Sequence, residues 1–226
     1  MSPRVVNGFL EFPAEPAPRN VVMHGDCRDV LPTLPAGGVD FILTDPPYLV
    51  RYRDRLGRTV ANDNDPRWLK PAFRELHRVL RPDSLMVCFY GWNVVDLFMD
   101  AWRAAGFRPV GHLVLAKTYP SSRRFLRHHH EQAYLLAKGS PPLPDQAIPD
   151  VLPFPYTGNR LHPTEKPVWP LLPVVEAFTR PGQLVLDPFA GSGSSLAAAR
   201  QLGRDWLGIE LDAFHVDTAR RRLACS

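Results

Sequence analysis

The stretch QLVLDPFAGSGSSLAAARQLGRDWLGIEL, residues 183–211, decides the fold class. It opens with the apolar run LVL, which is typical of a buried strand, and passes through a loop that contains Gly191 and Gly193. The run SSLAAARQ then predicts a helix, and DWLGIE predicts a second strand. Strand, glycine loop, helix and strand in this order are the repeating unit of a parallel α/β sheet.

The upstream half of the chain has the same rhythm. NVVMHGD and VDFILTD predict two strands, with a short helix and turn in CRDVLPTLPAGG between them. In residues 65–82, Leu69, Phe73, Leu76 and Leu80 recur at helical spacing. SLMVCFYGW predicts a further buried strand, and RPVGHLVLAK and EQAYLLAKG predict two more. We therefore expect a doubly wound, mostly parallel α/β sheet, with ligand sites at the carboxyl ends of its strands.

Two segments lack such periodicity. Residues 1–19 are rich in proline, which indicates a loose N-terminal arm, so that residues 20–226 form one domain. Residues 140–163 also carry many prolines and are expected to be a loop or an insertion rather than part of the core.

Composition narrows the classes of protein. A formal charge of +4, a pI near 9.1 and many arginines favour a polyanionic partner. Cys27, Cys88 and Cys225 stand far apart, which predicts neither a disulfide framework nor a zinc site and fits a reducing cytoplasm. No apolar run approaches the roughly 20 residues of a membrane span, so we expect no membrane partner.

The glycine loop and Glu210 together predict a nucleoside pocket. Glycines where a strand passes into a helix let the backbone approach a ligand closely, and Glu210 ends the next strand, where a carboxylate can accept both ribose hydroxyls. NAD, FAD and other nucleosides stay open at this point, as does a plain tight turn followed by a surface acid. The chain has no GxxxxGK[ST] run, which argues against an NTPase.

The motif Asp45-Pro46-Pro47-Tyr48 follows the strand VDFILTD. The prolines fix the backbone and remove two amide donors, so the loop presents carbonyl and carboxylate acceptors. The exocyclic amine of a nucleobase is a donor that fits, and accepting its N–H bonds would localise its lone pair, while Tyr48 offers a face for stacking. A proline-rich turn with a structural tyrosine is the alternative.

This ordered set of motifs resembles the S-adenosylmethionine-dependent amino-methyltransferases of DNA, in the permuted order called the beta class. The resemblance rests on HGD (residues 24–26), DPPY, HPTEKP (residues 162–167), DPFAGSG (residues 187–193) and Glu210, and covers roughly residues 20–222. It implies a permuted, seven-stranded Rossmann-like methyltransferase sheet with a short target-recognition insertion in about residues 117–161.

The resemblance also implies roles for single residues. The catalytic set, which would hold a flipped base with its amine aimed at the methyl sulfonium, is Asp45, Pro46, Pro47 and Tyr48. The set that would bind S-adenosylmethionine is Asp26, Cys27, Thr164, Lys166, Asp187, Phe189, Gly191, Ser192, Gly193 and Glu210, with Thr164 and Lys166 by the methionine end. Neither a metal nor a covalent nucleophile is required.

The identity of the base follows from the first residue of the catalytic motif. In this family an aspartate there usually accompanies adenine N6 and a serine cytosine N4, so Asp45 favours adenine. Cytosine N4 and an RNA base stay open. A non-catalytic nucleic-acid-binding subunit would be expected to carry damaged motifs, and both main motifs are intact.

Basic stretches near the catalytic motif predict contacts with DNA, and a solvated charged loop is the alternative. The residues expected to neutralise phosphates of double-stranded DNA are Arg51, Arg53, Lys117, Arg123, Arg124 and Arg127. Consecutive histidines at 128–130 do not share one face, so no metal site is predicted there. A homodimer, which is frequent in this class, and a restriction endonuclease on another chain stay open as partners.

Overall fold

The computed structural model of the protein describes residues 4–6, 9–11, 15–50, 61–120, 125–155 and 166–224. The strands in these residues are β1 (Arg4–Val6), β2 (Phe9–Glu11), β3 (Val21–His24), β4 (Val39–Thr44), β5 (Leu80–Phe89), β6 (Arg108–Lys117), β7 (His130–Lys138), β8 (Val151–Phe154), β9 (Leu184–Asp187) and β10 (Asp205–Glu210). The α-helices are α1 (Cys27–Val30), α2 (Leu69–Val79), α3 (Val95–Ala105), α4 (Leu172–Phe178), α5 (Ser194–Gln201) and α6 (Ala213–Ala224).

The main sheet has the strand order β3-β10-β9-β4-β5-β7-β6-β8. β3, β10, β9, β4 and β5 run parallel, whereas β7 pairs antiparallel with both β5 and β6. This confirms the predicted mostly parallel α/β sheet.

Helices cover both faces of the sheet, because the parallel strands are apolar on both sides. In β4, Val39 and Ile42 pack into the core with α1, α2 and α3, whereas Phe41 and Leu43 pack into the core with α4, α5 and α6. The sheet is therefore doubly wound. The order of strands reverses between β9 and β4, and ligands of such sheets bind at the carboxyl ends of the strands beside that point.

The main sheet has eight strands in the described residues, whereas seven were predicted. The additional strand is β8, which lies in the segment that was expected to be a loop and pairs parallel with β6 at the edge of the sheet. Its Leu152 and Phe154 are buried, so this part of the insertion does belong to the core. Pro153 concealed the signal, but an edge strand tolerates a proline because one side of its backbone has no ladder to complete.

The N-terminal arm also contains a structure that was not predicted. Arg4–Val6 pairs antiparallel with Phe9–Glu11, with Val6 opposite Phe9, in a separate two-stranded sheet. The sequence signal was present, because Asn-Gly at positions 7 and 8 between apolar pairs is the strongest short-range indication of a hairpin. The end of the arm is tied to the domain, since Arg19 forms an ion pair with Asp205.

Candidate active site

One pocket at the carboxyl ends of β4, β9 and β10 brings most of the predicted site residues together. Those that line it are Asp26, Cys27, Asp45, Pro46, Pro47, Tyr48, Lys166, Asp187, Phe189, Gly191, Ser192 and Glu210. Gly193 instead stands at the N-terminal cap of α5. Thr164 lies outside the described residues, as do the first four residues of HPTEKP.

Asp45 follows β4 directly, and its carboxylate lies between two donors. The Tyr48 hydroxyl donates to Oδ1 at 2.6 Å, and the Lys166 ammonium donates to Oδ2 at 2.6 Å. Burial and the neighbouring Asp45 hold the pKa of Tyr48 well above its usual range, so its hydroxyl remains a donor. Each carboxylate oxygen has a second lone pair, so Asp45 can accept a further hydrogen bond from a group in the pocket.

Lys166 is a buried cation in this site. Its side chain is 9% exposed, and its Nζ lies 4.8 Å from the centre of the Phe89 ring and 5.4 Å from that of Tyr48. Burial by itself would lower the pKa of Lys166, but the charges of Asp45 and Glu131 outweigh it, and the pKa is raised. The ammonium therefore stays protonated across the neutral range.

The glycine loop fixes Glu210 on the other side of the pocket. The Gly191 amide donates to Glu210 Oε2 at 2.8 Å, and the Asp212 amide donates to Oε1 at 2.8 Å. Gly191 and Gly193 have φ values of 50° and 78°, in the left-handed region that glycine adopts without steric cost. Glu210 is thus an oriented acceptor at the end of β10, as the predicted ribose contact requires.

Asp187 connects the two halves of the site. Its carboxylate accepts hydrogen bonds from the Thr44 hydroxyl at 3.0 Å, from the Phe189 amide at 3.1 Å and from the Ser195 hydroxyl. Thr44 is the residue before Asp45, so Asp187 links the catalytic motif to the glycine loop. Burial raises the pKa of Asp187 to about 7, although the bonds from Ser195, Phe189 and Thr44 act in the opposite direction.

Asp26 and Cys27 lie where β3 passes into α1. Asp26 caps this helix and accepts from the Arg28 amide at 2.8 Å and from the Arg28 guanidinium at 2.6 Å, and the guanidinium hydrogen bond lowers the pKa of Asp26. Burial, assisted by the charge of Asp26, raises the pKa of Cys27 to about 12. Cys27 is therefore a protonated thiol and unsuited to covalent catalysis.

Comparison with known proteins identifies the family to which the chain belongs. The model of the N6_N4_Mtase family, described as DNA methylase, matches residues 39–156 and 151–221. The chain belongs to this family of DNA methylases.

Individual relatives agree with the family. The chain is 57% identical over 202 residues to YubD of Escherichia coli (strain K12), a methylase by name, with 89% of each chain covered. It is 27% identical over 248 residues to the DNA adenine methyltransferase YhdJ of the same organism, covering 89% of this chain and 82% of the relative. The crystal structure of the M1.HpyAVI–SAM complex has the same fold, with a TM-score of 0.71 at 22% identity, covering 90% of this chain and 98% of that chain.

The basic residues that were predicted to contact DNA fall into three groups in this DNA methylase. Arg51, Arg53, Arg123 and Arg124 lie outside the described residues. Arg127 is exposed. Lys117 differs from the expectation, because its side chain is only 5% exposed and forms an ion pair with Glu131 inside the sheet. The charge of Lys117 is thus already paired, which argues against a phosphate contact.

Several residues that line the pocket were not found from the sequence. They include Asn62, Asp63, Phe89, Asp212 and His215. Asp63 is only 4% exposed although it lies in the polar run ANDND, whose composition indicates a solvated loop. The start of α6 offered a weak signal, since Asp212 and His215 follow Glu210 closely in the sequence.

An exposed aromatic pair lies beside the catalytic loop, residues 45–48, which carries the predicted catalytic motif. Trp92 is 62% exposed, and its ring stacks on that of His128 with the centres 5.6 Å apart. Gly91, the preceding residue, is in close contact with the backbone of Tyr48.

None of the helices in the described residues is long and apolar enough to cross a membrane. Among the same residues, no group of three or more His, Cys, Asp or Glu side chains is placed to hold a metal ion.

Proposed function

We propose that this DNA methylase transfers a methyl group from S-adenosylmethionine to the exocyclic N6 of an adenine flipped out of double-stranded DNA. The position of Asp45 is the observation that carries the proposal. Its carboxylate is held by Tyr48 and Lys166 in the pocket that Glu210 also lines. An acceptor for a base amine and an acceptor for a ribose thus share one cavity, as methyl transfer from a nucleoside cofactor to a base requires.

The residues of the pocket fit S-adenosylmethionine. Glu210 is fixed by two backbone amides and keeps lone pairs for the ribose hydroxyls, and the left-handed glycine loop lets its backbone come close to a ligand. When bound, the cofactor supplies an activated methyl group and a neutral thioether as the leaving group. M1.HpyAVI, which shares the fold, was crystallised as a SAM complex, and this supports the same cofactor here.

Asp45 is proposed to make the base amine a better nucleophile. The lone pair of an exocyclic amine is delocalised into the base, and a hydrogen bond from its N–H to the Asp45 carboxylate localises that pair on nitrogen. The nitrogen then bonds to the methyl carbon as the carbon–sulfur bond breaks, the electron pair of that bond stays on sulfur, and one amine proton is released to water. Cys27 has no part in this step, because its pKa of about 12 keeps the thiol protonated.

Adenine is the base that the available signals favour. In the family that the chain resembles, aspartate at the position of Asp45 usually accompanies adenine. The relative YhdJ, at 27% identity, is named as a DNA adenine methyltransferase. The family also includes enzymes for N4 of cytosine, which is therefore the alternative product.

The test is incubation of the purified protein with labelled S-adenosylmethionine and unmethylated genomic DNA, followed by digestion to nucleosides and mass spectrometry. We expect N6-methyladenine. If the product is N4-methylcytosine, the proposed base is wrong but the proposed methyl transfer to DNA stands. Methylation of structured RNA but not of DNA would replace the substrate, and no methylated nucleoside with cofactor binding intact would indicate a non-catalytic subunit.

Glu210→Gln should weaken cofactor binding about 100-fold, since hydrogen bonds to a charged acceptor contribute about 1.5–3 kcal/mol each. Glutamine keeps the volume but offers one oxygen where Gly191, Asp212 and the ribose hydroxyls all require an acceptor. Calorimetry with S-adenosylhomocysteine measures the change, and exposed Glu176→Gln on α4 is the control. Unchanged affinity would remove Glu210 from the cofactor site.

Gly91→Ala should slow methyl transfer about 100-fold, because displacing a catalytic group by about 1 Å is enough for such a loss. A Cβ on Gly91 would lie 2.5 Å from the Tyr48 carbonyl oxygen, so the backbone must shift at Tyr48 or at Gly91, and either shift disturbs their contact. Gly111→Ala is the control, since the nearest atom to its Cβ would be 3.4 Å away. Initial methylation rates at saturating cofactor test this, and equal rates for both variants would contradict it.

Arg127 is the described arginine proposed to contact DNA. Replacing it by alanine should weaken binding of any DNA sequence and reduce the slope of log K against log salt by about 1. Fluorescence anisotropy with labelled duplexes between 50 and 200 mM salt, a range suited to such slopes, measures this effect. Exposed Arg180→Ala on the segment after α4 serves as the control. The same slope in wild type and Arg127→Ala would show that Arg127 makes no phosphate contact.

Three further expectations remain predictions. A cytoplasmic location rests on the dispersed cysteines, of which Cys27 and Cys88 are free thiols. A homodimer and a restriction endonuclease partner are the assemblies that the resemblance leaves open.

A further inference from the structure

Lys166 contacts the catalytic motif, although the resemblance placed it by the methionine end of the cofactor. Its Nζ lies 2.6 Å from Asp45 Oδ2 and 3.2 Å from the Tyr48 hydroxyl oxygen. We propose that Lys166 is a positioning residue for the base amine, and that its ammonium fixes the Asp45 carboxylate in the orientation that receives the amine N–H. This inference rests on the proposed function.

The need for such a residue follows from the chemistry of a carboxylate. The terminal torsion of an aspartate has broad, weakly preferred minima, so the direction of its lone pairs is set by its hydrogen-bond partners. Tyr48 holds one oxygen of Asp45, but it belongs to the same loop and so does not fix that oxygen relative to the rest of the site. Lys166 is 121 residues away in the sequence and holds the other oxygen from outside the loop.

The backbone of Lys166 is itself anchored to the cofactor side of the site. Its carbonyl accepts a hydrogen bond of 2.7 Å from the Ser194 hydroxyl, and Ser194 is the first residue of α5, directly after the glycine loop. Lys166 therefore joins the catalytic motif, through its ammonium, to the helix that follows the cofactor loop, through its carbonyl. Asp45 is thereby held at a fixed position relative to the glycine loop, which is proposed to bind the methyl donor.

Buried charges behind the catalytic loop keep Lys166 charged. Glu131 of β7 forms an ion pair with Lys117 of β6, and both side chains are largely buried. Burial by itself would raise the pKa of Glu131, but the charges of Lys166 and Lys117 outweigh it, and the pKa is lowered. Cations and carboxylates thus alternate from Lys117 through Glu131 and Lys166 to Asp45, so a cation at Lys166 is not an uncompensated buried charge.

The test compares Lys166→Ala and Lys166→Met with wild type for turnover, KM for DNA and affinity for S-adenosylhomocysteine. We expect turnover to fall about 100-fold, as for the loss of one pre-organised group, with cofactor affinity within about threefold, because the described hydrogen bonds of the ammonium go to Asp45 and Tyr48. Added propylammonium, which restores the missing side-chain atoms, should raise turnover of Lys166→Ala at least about tenfold. Tetramethylammonium, which cannot donate a hydrogen bond, should not.

Each outcome separates the alternatives. Lys70→Ala is the matched control, because Lys70 forms an exposed ion pair of 2.8 Å with Asp100. Loss of cofactor affinity in proportion to turnover would indicate that Lys166 binds the methionine end of the cofactor. Wild-type turnover in both variants would show that Lys166 has no role in methyl transfer. Lys166→Met keeps the apolar stem and so covers the case in which Lys166→Ala fails to fold. If wild type itself leaves DNA unmethylated, the proposed function fails. If wild type methylates DNA and both variants do so at the same rate, this inference fails alone.

Discussion

Asp45→Asn should lower the rate of methyl transfer about 1,000-fold, because the group lost acts on charge that develops in the transition state. Asparagine keeps the shape of the side chain but turns one acceptor into a donor. The Lys166 ammonium donates to the remaining oxygen, so the NH₂ group of asparagine faces Tyr48. This group offers N–H at the place where the base amine also offers N–H. The lone pair of the amine then stays delocalised in the ring.

The measurement is single-turnover methylation of a duplex substrate, together with calorimetry of S-adenosylhomocysteine binding. Cofactor affinity should change little, because the acid proposed for the ribose, Glu210, is held by the amides of Gly191 and Asp212 and not by the catalytic loop. Asp100→Asn is the control, since it also removes an aspartate–lysine ion pair, on the exposed face of α3. If Asp45→Asn loses cofactor affinity and rate in equal proportion, Asp45 is structural.

The parts of the fold that the sequence predicted are those in which pattern and packing agree. β4 is mostly apolar and is buried on both faces, and α2 repeats its buried residues at helical spacing. β8 was missed because its signal is weak. It is four residues long, contains a proline and lies at an edge, where a single buried face supports it. Its place in the sheet depends on pairing with the outer edge of β6, and no local sequence pattern reveals that pairing.

In the site as well, the sequence indicated some residues and gave no signal for the contacts of others. The motifs predicted that Asp45, Glu210 and the glycine loop lie close together. They line one pocket, because each stands at a strand end where a parallel sheet collects its ligands. The partners of Lys117 and Lys166 could not be predicted. Whether a lysine in a basic stretch faces solvent or a buried carboxylate depends on pairing between strands distant in the sequence, and here Lys117 meets Glu131.

In wild type, Asp187 should lower the free energy of unfolding as pH rises from about 4 to about 7. Asp187→Asn should abolish this decrease. Burial raises the pKa of Asp187 from 3.8 to about 7. Between these values the folded protein binds a proton that the unfolded chain releases, so the contribution of Asp187 to stability is greatest below pH 4 and falls until pH passes 7. The raised pKa corresponds to about 4 kcal/mol of unfolding free energy.

Asparagine at position 187 fits the same contacts without titrating. Its oxygen can accept from the Thr44 hydroxyl and the Phe189 amide, and its NH₂ group can donate to Ser195, whose hydroxyl turns to accept. Urea denaturation at several pH values from 4 to 8 measures the effect, and the free energy of unfolding should fall less in Asp187→Asn than in wild type. Asp205→Asn is a control of opposite sign, because hydrogen bonds from Asn20 and Arg19 lower the pKa of Asp205, so its contribution is lost on acidification instead. Parallel curves for wild type and Asp187→Asn would mean that the carboxylate linking Thr44 to the glycine loop is ionised at every pH tested, and that its hydrogen bonds outweigh its burial.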